Sequence, residues 1–186
     1  MADGQLSNPT HPTPPTKDDR HDRLRLVRCR RVGAVTYHRL LAEHGSARAA
    51  LAALPGIAKA AGVEDYEVCP PGVIQAELRQ GHALGASLLI HGEADYPQAL
   101  MDIPDAPPVL WALGDISLLN RPAVGMVGAR NASSLGIRMA RRLGSGLSEA
   151  GFTVVSGLAR GIDTAAHEAA LDGQGRTVAV MAGGID

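Results

Sequence analysis

Phe152-Thr153-Val154-Val155-Ser156-Gly157-Leu158-Ala159-Arg160-Gly161 is the stretch that decides the fold. A short run of β-branched and aromatic residues ends in a serine and a glycine-bearing loop. Asp163 or Thr164 then starts a helix that reaches about Leu171 and is released by Asp172-Gly173. The same grammar stands on both sides. Upstream, Ala123-Val124-Gly125-Met126-Val127 ends in Gly128, and a polar loop covers Ala129 to Ser134. Ile137, Ala140, Leu143 and Leu147 then recur at helical spacing up to Gly151. Downstream, Thr177-Val178-Ala179-Val180-Met181 ends in Ala182-Gly183-Gly184. Strands separated by helices must run parallel, which puts the three glycine loops on one edge of a sheet.

Ligands of open α/β sheets sit outside the carboxyl ends of the strands, where helix N-termini present unpaired N–H groups and glycines let an anion approach the backbone. Arg130 in the first loop, Arg160 in the second and Arg176 just before the third strand are expected near that edge. The threefold repetition of strand, glycine loop and arginine points to an anion site. Several familiar occupants do not fit. Gly125-x-x-Gly128 is not GxGxxG, and the second strand ends in Ser156-Gly157 rather than in the acid that holds a ribose, which argues against a dinucleotide dehydrogenase. No GxxxxGK[ST] occurs, which excludes a P-loop. For hydrolysis Ser156 would need His167, which lies well inside the next helix and reads as a packing residue. Asp163 reads first as a helix cap. What is left is a cradle of backbone and arginine, without catalytic residues, metal ligands or a cofactor.

The first half of the chain is built differently. Residues 1–21 contain four prolines and few apolar side chains and read as a flexible tail. Residues 22–85 read as a small all-α bundle. It has a helix from Leu24, a second over Thr36 to His44 stopped by Gly45, and a third capped by Ser46 and ended by Pro55-Gly56. Arg31-Val32-Gly33-Ala34-Val35 and Leu54-Pro55-Gly56-Ile57-Ala58 look like helix-hairpin-helix turns. A helix over Val73 to Leu84 follows. Residues 86–186 form the α/β unit, opened by strands Ser87 to His91 and Val109 to Leu113, with Trp111 as core filling. The Pro-rich passage between those two strands cannot be a central strand.

Composition narrows the reading further. The chain has 186 residues with a formal net charge of −1, and its 18 basic residues comprise 16 arginines with Lys17 and Lys59. Residues 20–48 carry eight arginines against Asp22 and Glu43, residues 49–120 are strongly acidic, and residues 121–186 carry seven arginines against five acids. Aromatic residues are Tyr37, Tyr66, Tyr96, Trp111 and Phe152, too few for a fold that stacks bases on an aromatic sheet. Cys29 and Cys69 are in neither CxxC nor metal spacing and read as buried thiols of a reducing cytosol. No apolar run approaches a membrane span, and a cytoplasmic location is expected.

The three loops together resemble the DNA-processing protein A family, DprA, also called Smf. The carrying residues are Val127-Gly128-Ala129-Arg130, Val155-Ser156-Gly157-Leu158-Ala159-Arg160-Gly161-Ile162-Asp163 with Ala165-Ala166-His167, and Arg176-Thr177-Val178-Ala179-Val180 into Gly183-Gly184-Ile185-Asp186. The likeness extends back through Asp95-Tyr96-Pro97 and Pro107-Pro108-Val109-Leu110. It implies an extended Rossmann-like parallel sheet, preceded by a sterile-alpha-motif-like bundle and incomplete at the C-terminus. It also implies a dimer through the Rossmann-like domain, and a protein that binds single-stranded DNA during natural transformation, protects it and helps load the RecA recombinase. Carried over by motif, Gly128 and Arg130 grip a phosphate, and Ser156, Gly157 and Gly161 line the pocket. Ala129, Arg160 and Gly183 belong to the same loops, and Arg176 stands where the family has a lysine. Ala129 replaces the usual serine, and Leu135 stands where an aromatic is common. The sequence reaches Asp186 in the middle of the third motif, so the chain reads as an N-terminal fragment. A winged-helix domain is among the parts the resemblance allows after it. The rival class is a Rossmann-like nucleotide hydrolase of the lysine-decarboxylase-like group, whose PGGxGTxxE motif Met181-Ala182-Gly183-Gly184-Ile185-Asp186 approaches only superficially.

Overall fold

The computed structural model describes residues 17–185; most of the tail expected over residues 1–21, and Asp186, lie outside the described residues. The described chain falls into two compact units that meet between Gln75 and Ala76, inside a helix rather than at its end.

The first unit is a helical bundle. Helix α1 spans Lys17–Arg28 and so begins within the expected tail, with Asp18 and Asp19 in its first turn where the helix dipole favours acids. Leu24 and Leu26 on α1 are fully buried, as is Leu40 on α2, Ala34–His44. Gly45 stops α2 at φ +75°, donating to the Leu41 carbonyl. Ser46 then caps α3 by accepting from the Ala49 amide at 3.2 Å. Helix α3 runs over Ala47–Ala60, straight through Pro55-Gly56. The second hairpin-like turn expected there is therefore helix interior. Leu51, Leu54 and Ala58 on one face are buried while Pro55 and Gly56 are exposed, so burial across the proline outweighs the lost backbone bond. Cys29 and Cys69 are free and buried, and the Cys69 amide donates to the Cys29 sulfur at 3.3 Å. Helix α4, Pro71–Ala83, leads out of the unit.

The second unit holds two sheets. Strands β1, Ser87–Ile90, and β2, Val109–Ala112, pair antiparallel with Leu89 opposite Leu110. Trp111 is half-buried: its indole N–H donates to Glu77 Oε1 at 2.8 Å, and its ring lies against Gly81, where a Cβ would collide with it. Between the strands the Pro-rich passage folds over Tyr96, whose hydroxyl donates to the Pro107 carbonyl at 2.7 Å. The short helix α5, Gln98–Met101, was not foreseen in the sequence.

Strands β3 (Ala123–Gly125), β4 (Thr153–Ser156) and β5 (Thr177–Ala179) form a parallel sheet in that order, with Val124, Val154 and Thr177 in register. Helix α6, Ser134–Glu149, joins the first two strands, and α7, Ile162–Asp172, joins the last two. Ser133 caps α6 by accepting from Gly136 at 3.2 Å. Both helices pack on β4 and on each other around Met126, Ala140, Val154, Ala165, Ala166 and Ala170. Gly144 makes the helix contact close, since a Cβ there would stand 2.9 Å from the Ala166 carbonyl oxygen. The fold is thus α/β with a helical bundle before it. Among the described residues no helix is long and apolar enough to cross a membrane.

Candidate functional site

Parallel strands deliver their carboxyl ends to one edge, and there the loops after β3, β4 and β5 converge. The glycines of the first two loops are needed for packing. Gly161 adopts φ +85°, and a Cβ on it would collide with the Ala129 and Arg130 carbonyl oxygens. In the same contact the Ile162 amide donates to the Ala129 carbonyl at 3.3 Å. A Cβ on Gly128 would stand 2.6 Å from Ile162 Cγ1. The first loop therefore lies directly on the start of α7. Gly183, in the third loop, is exposed with open space around it.

Asp163 clasps this arrangement. Expected as the cap of its own helix, it is instead the second residue of α7, whose N-cap is Gly161. The residue is only 6% exposed, and its carboxylate accepts from the Gly157 amide at 3.1 Å. Burial alone would raise its pKa. The amides of Gly157 and Ala159, the Ser156 side chain and the amide of Gly128 outweigh burial and hold the carboxyl below the ordinary aspartate range. An internal carboxylate thus already occupies backbone donors that the sequence offers to a phosphate.

Ser156 turns inward as well. It is buried, and its hydroxyl donates to the Met126 carbonyl at 2.6 Å, tying β4 to the first loop, so it supports the site from beneath instead of lining it. His167, one turn after Asp163, is buried with Nδ1 2.6 Å from Thr177 Oγ1. That hydroxyl donates to the Val154 carbonyl at 2.9 Å, so the ring nitrogen carries the proton between them. Burial pushes the His167 pKa down, against the pull of the Asp163 charge. The Ser156 hydroxyl is engaged with Met126 and the His167 Nδ1 with Thr177, so the two side chains do not form a nucleophile–base pair.

Two arginines face outward, among exposed apolar residues that include Val127, Leu158, Val180 and Met181. Arg130 and Arg160 are exposed and have no hydrogen-bond or ion-pair partner among the described residues. Leu158 lies between them in sequence, exposed and held at φ +55°, a strained conformation for leucine that no sequence signal announces. Arg176 is not part of the cluster. It precedes β5 and therefore sits at the amino edge of a parallel sheet, about 10 Å of strand away from the loops. Its Nη1 lies 3.4 Å from where a Cβ on Gly151 would stand, before β4. The expectation that it lies near the glycine loops is corrected by strand direction.

Comparison with known proteins agrees with this architecture. Residues 87–186 match the family described as DNA recombination-mediator protein A, and residues 17–79 match the DprA-like N-terminal HHH domain. The DNA processing protein DprA of Streptococcus pneumoniae is 46% identical over 91 residues, which cover 49% of this chain and 32% of that protein. That of Bacillus subtilis is 36% identical over 124 residues, covering 66% and 40%. The matched segments thus span 32% and 40% of the length of these relatives. The X-ray structure of DNA processing protein A from Streptococcus pneumoniae superposes with a TM-score of 0.54 at 30% identity, covering 81% of this chain and 58% of that one. With one family match spanning more than half of its residues and a second over its helical unit, the chain belongs to the DNA recombination-mediator protein A family, DprA/Smf.

Proposed function

We propose that the edge formed by the glycine loops binds single-stranded DNA by its phosphates, and that the protein takes part in DNA processing during natural transformation as a binding protein and not as a catalyst. The observation that carries this reading is the pairing of Arg130 and Arg160, exposed and uncompensated, on loops whose backbone is already fixed by Asp163. Guanidinium groups recognise phosphate without regard to base, and the loops carry no aromatic residue on which bases could stack. Membership of the family supports the remaining parts of the proposal: a homodimer through the α/β unit, action in the cytoplasm, and delivery of the bound strand to the RecA recombinase.

Arg130→Ala should weaken binding of an oligothymidylate by about 1.5–3 kcal/mol, the worth of a charge-assisted contact. A fluorescence-anisotropy titration that finds unchanged affinity refutes the assignment. Incubation with AMP separates the rival nucleotide hydrolase: release of adenine would favour an enzyme over a binder.

A further inference from the structure

Between Asp115 and Glu149 the sequence holds no acidic residue and five arginines: Arg121, Arg130, Arg138, Arg141 and Arg142. Helix α6 begins at Ser134, immediately after the first glycine loop. Its inner stripe, Ala140, Gly144 and Ser148 with Ile137 and Leu147, is turned to the core. The opposite stripe is Leu135, Arg138, Met139, Arg142 and Leu143, at the i, i+3, i+4, i+7, i+8 spacing of a single helix face. Every one of these residues is exposed, with Leu135 at 61%, Met139 at 48% and Leu143 at 53%. Arg141 is paired with Glu168 at 3.1 Å, whereas Arg138 and Arg142 have no partner among the described residues. A solvated helix face is normally polar with mixed charge. Here an apolar row lies beside arginines and begins five residues after Arg130 in sequence.

We propose that α6 carries the DNA strand onward from the glycine loops, its phosphates passing from Arg130 to Arg138 and Arg142 while its bases lie over Leu135, Met139 and Leu143. This rests on the loop edge being a single-stranded DNA site and extends that site along the helix. Arg138 and Arg142 are one turn apart, about 6 Å along the axis, a spacing that neighbouring phosphates of an extended strand can meet. The row from Leu135 to Leu143 adds about 12 Å of path. Continuity with Arg130 and the absence of any acid on the stripe favour a polyanion with exposed bases. An acidic protein surface would meet the same cations and is the competing occupant.

The test compares the wild-type protein with two double variants, Arg138→Gln/Arg142→Gln on the helix and Arg130→Gln/Arg160→Gln on the loops, in anisotropy titrations of an oligothymidylate of about twenty nucleotides across a salt series. Each phosphate contact with single-stranded DNA contributes about 0.7 to the slope of log affinity against log salt. The helix variant should therefore lower the slope by about 1.4, with about tenfold weaker binding near physiological salt, and the loop variant should do the same. An unchanged slope for the helix variant, with that of the loop variant lowered, overturns the α6 path alone. If the loop variant leaves the slope unchanged, the reading of the glycine loops falls and the path falls with it. If the helix variant instead abolishes self-association in sedimentation velocity while its slope stays fixed, the face is a protein interface and the proposal is wrong.

Discussion

Replacing Asp163 by asparagine removes the charge from a buried acceptor while nearly preserving its shape. In the native protein the carboxylate receives the Gly157 amide at 3.1 Å, with the amides of Ala159 and Gly128 also directed to it. An asparagine keeps one acceptor oxygen and turns an NH2 group toward donors that cannot receive it. Hydrogen bonds to a charged group contribute about 1.5–3 kcal/mol each and a stranded buried donor costs a similar amount, so the loss should be about 2–4 kcal/mol. Urea unfolding followed by tryptophan fluorescence suits the measurement, because Trp111, the single tryptophan, lies in the same unit. The pH dependence supplies a signature. The folded pKa of Asp163 is lowered, so its contribution is fully present above the unfolded value of about 3.9 and is lost as pH falls toward the folded value. The stability gap between wild type and variant should hold from neutral pH down to about 5 and shrink below about 4. A gap under about 0.5 kcal/mol at neutral pH, or one that persists unchanged into strong acid, refutes the role of the carboxylate as the clasp of the loops.

Other perturbations separate framework from contact. Gly161→Ala forces a Cβ into the Ala129 and Arg130 carbonyls at φ +85°, ψ −120°, a region outside the left-handed helical well; a non-glycine backbone held in so sparse a region costs about 1–3 kcal/mol, so thermal melting should drop by more than that implies, with DNA affinity falling in parallel. Leu158→Gly relieves the strain at φ +55° and should raise stability by up to about 1 kcal/mol in a melt, yet weaken oligonucleotide binding if the exposed leucine touches a base. Arg176→Ala should leave affinity for a short oligonucleotide unchanged, because its guanidinium lies at the other end of the sheet; a loss as large as that of Arg130→Ala would show that the strand wraps around to that edge.

The three strand–glycine–helix units are legible in the sequence because each signal is local: a β-branched run, a glycine, then apolar residues at helical spacing. Parallel pairing then follows from the connections alone, and the convergence of the loops follows from parallel pairing. The same logic, carried one step further, shows why Arg176 misleads. Proximity to a strand in sequence says nothing until one asks which end of it the residue precedes. Pro55-Gly56 misleads for the opposite reason, since a local breaker signal is overridden by the burial of Leu54 and Ala58 on one helix face. The double role of Asp163 is beyond sequence reading altogether. Its position at a helix start is visible, but its acceptance of amides from the neighbouring loop depends on how closely the first loop lies on α7, which Gly128 and Gly161 permit.

A loop frame held by its own carboxylate and by backbone contacts has a kinetic consequence. The backbone of the first two loops does not have to be ordered when the ligand arrives, so the entropy lost in forming the site is confined to the exposed arginine side chains and no slow rearrangement should follow encounter. Association would then be a single fast step steered by exposed guanidinium groups, and release, not capture, would set how long a strand is kept.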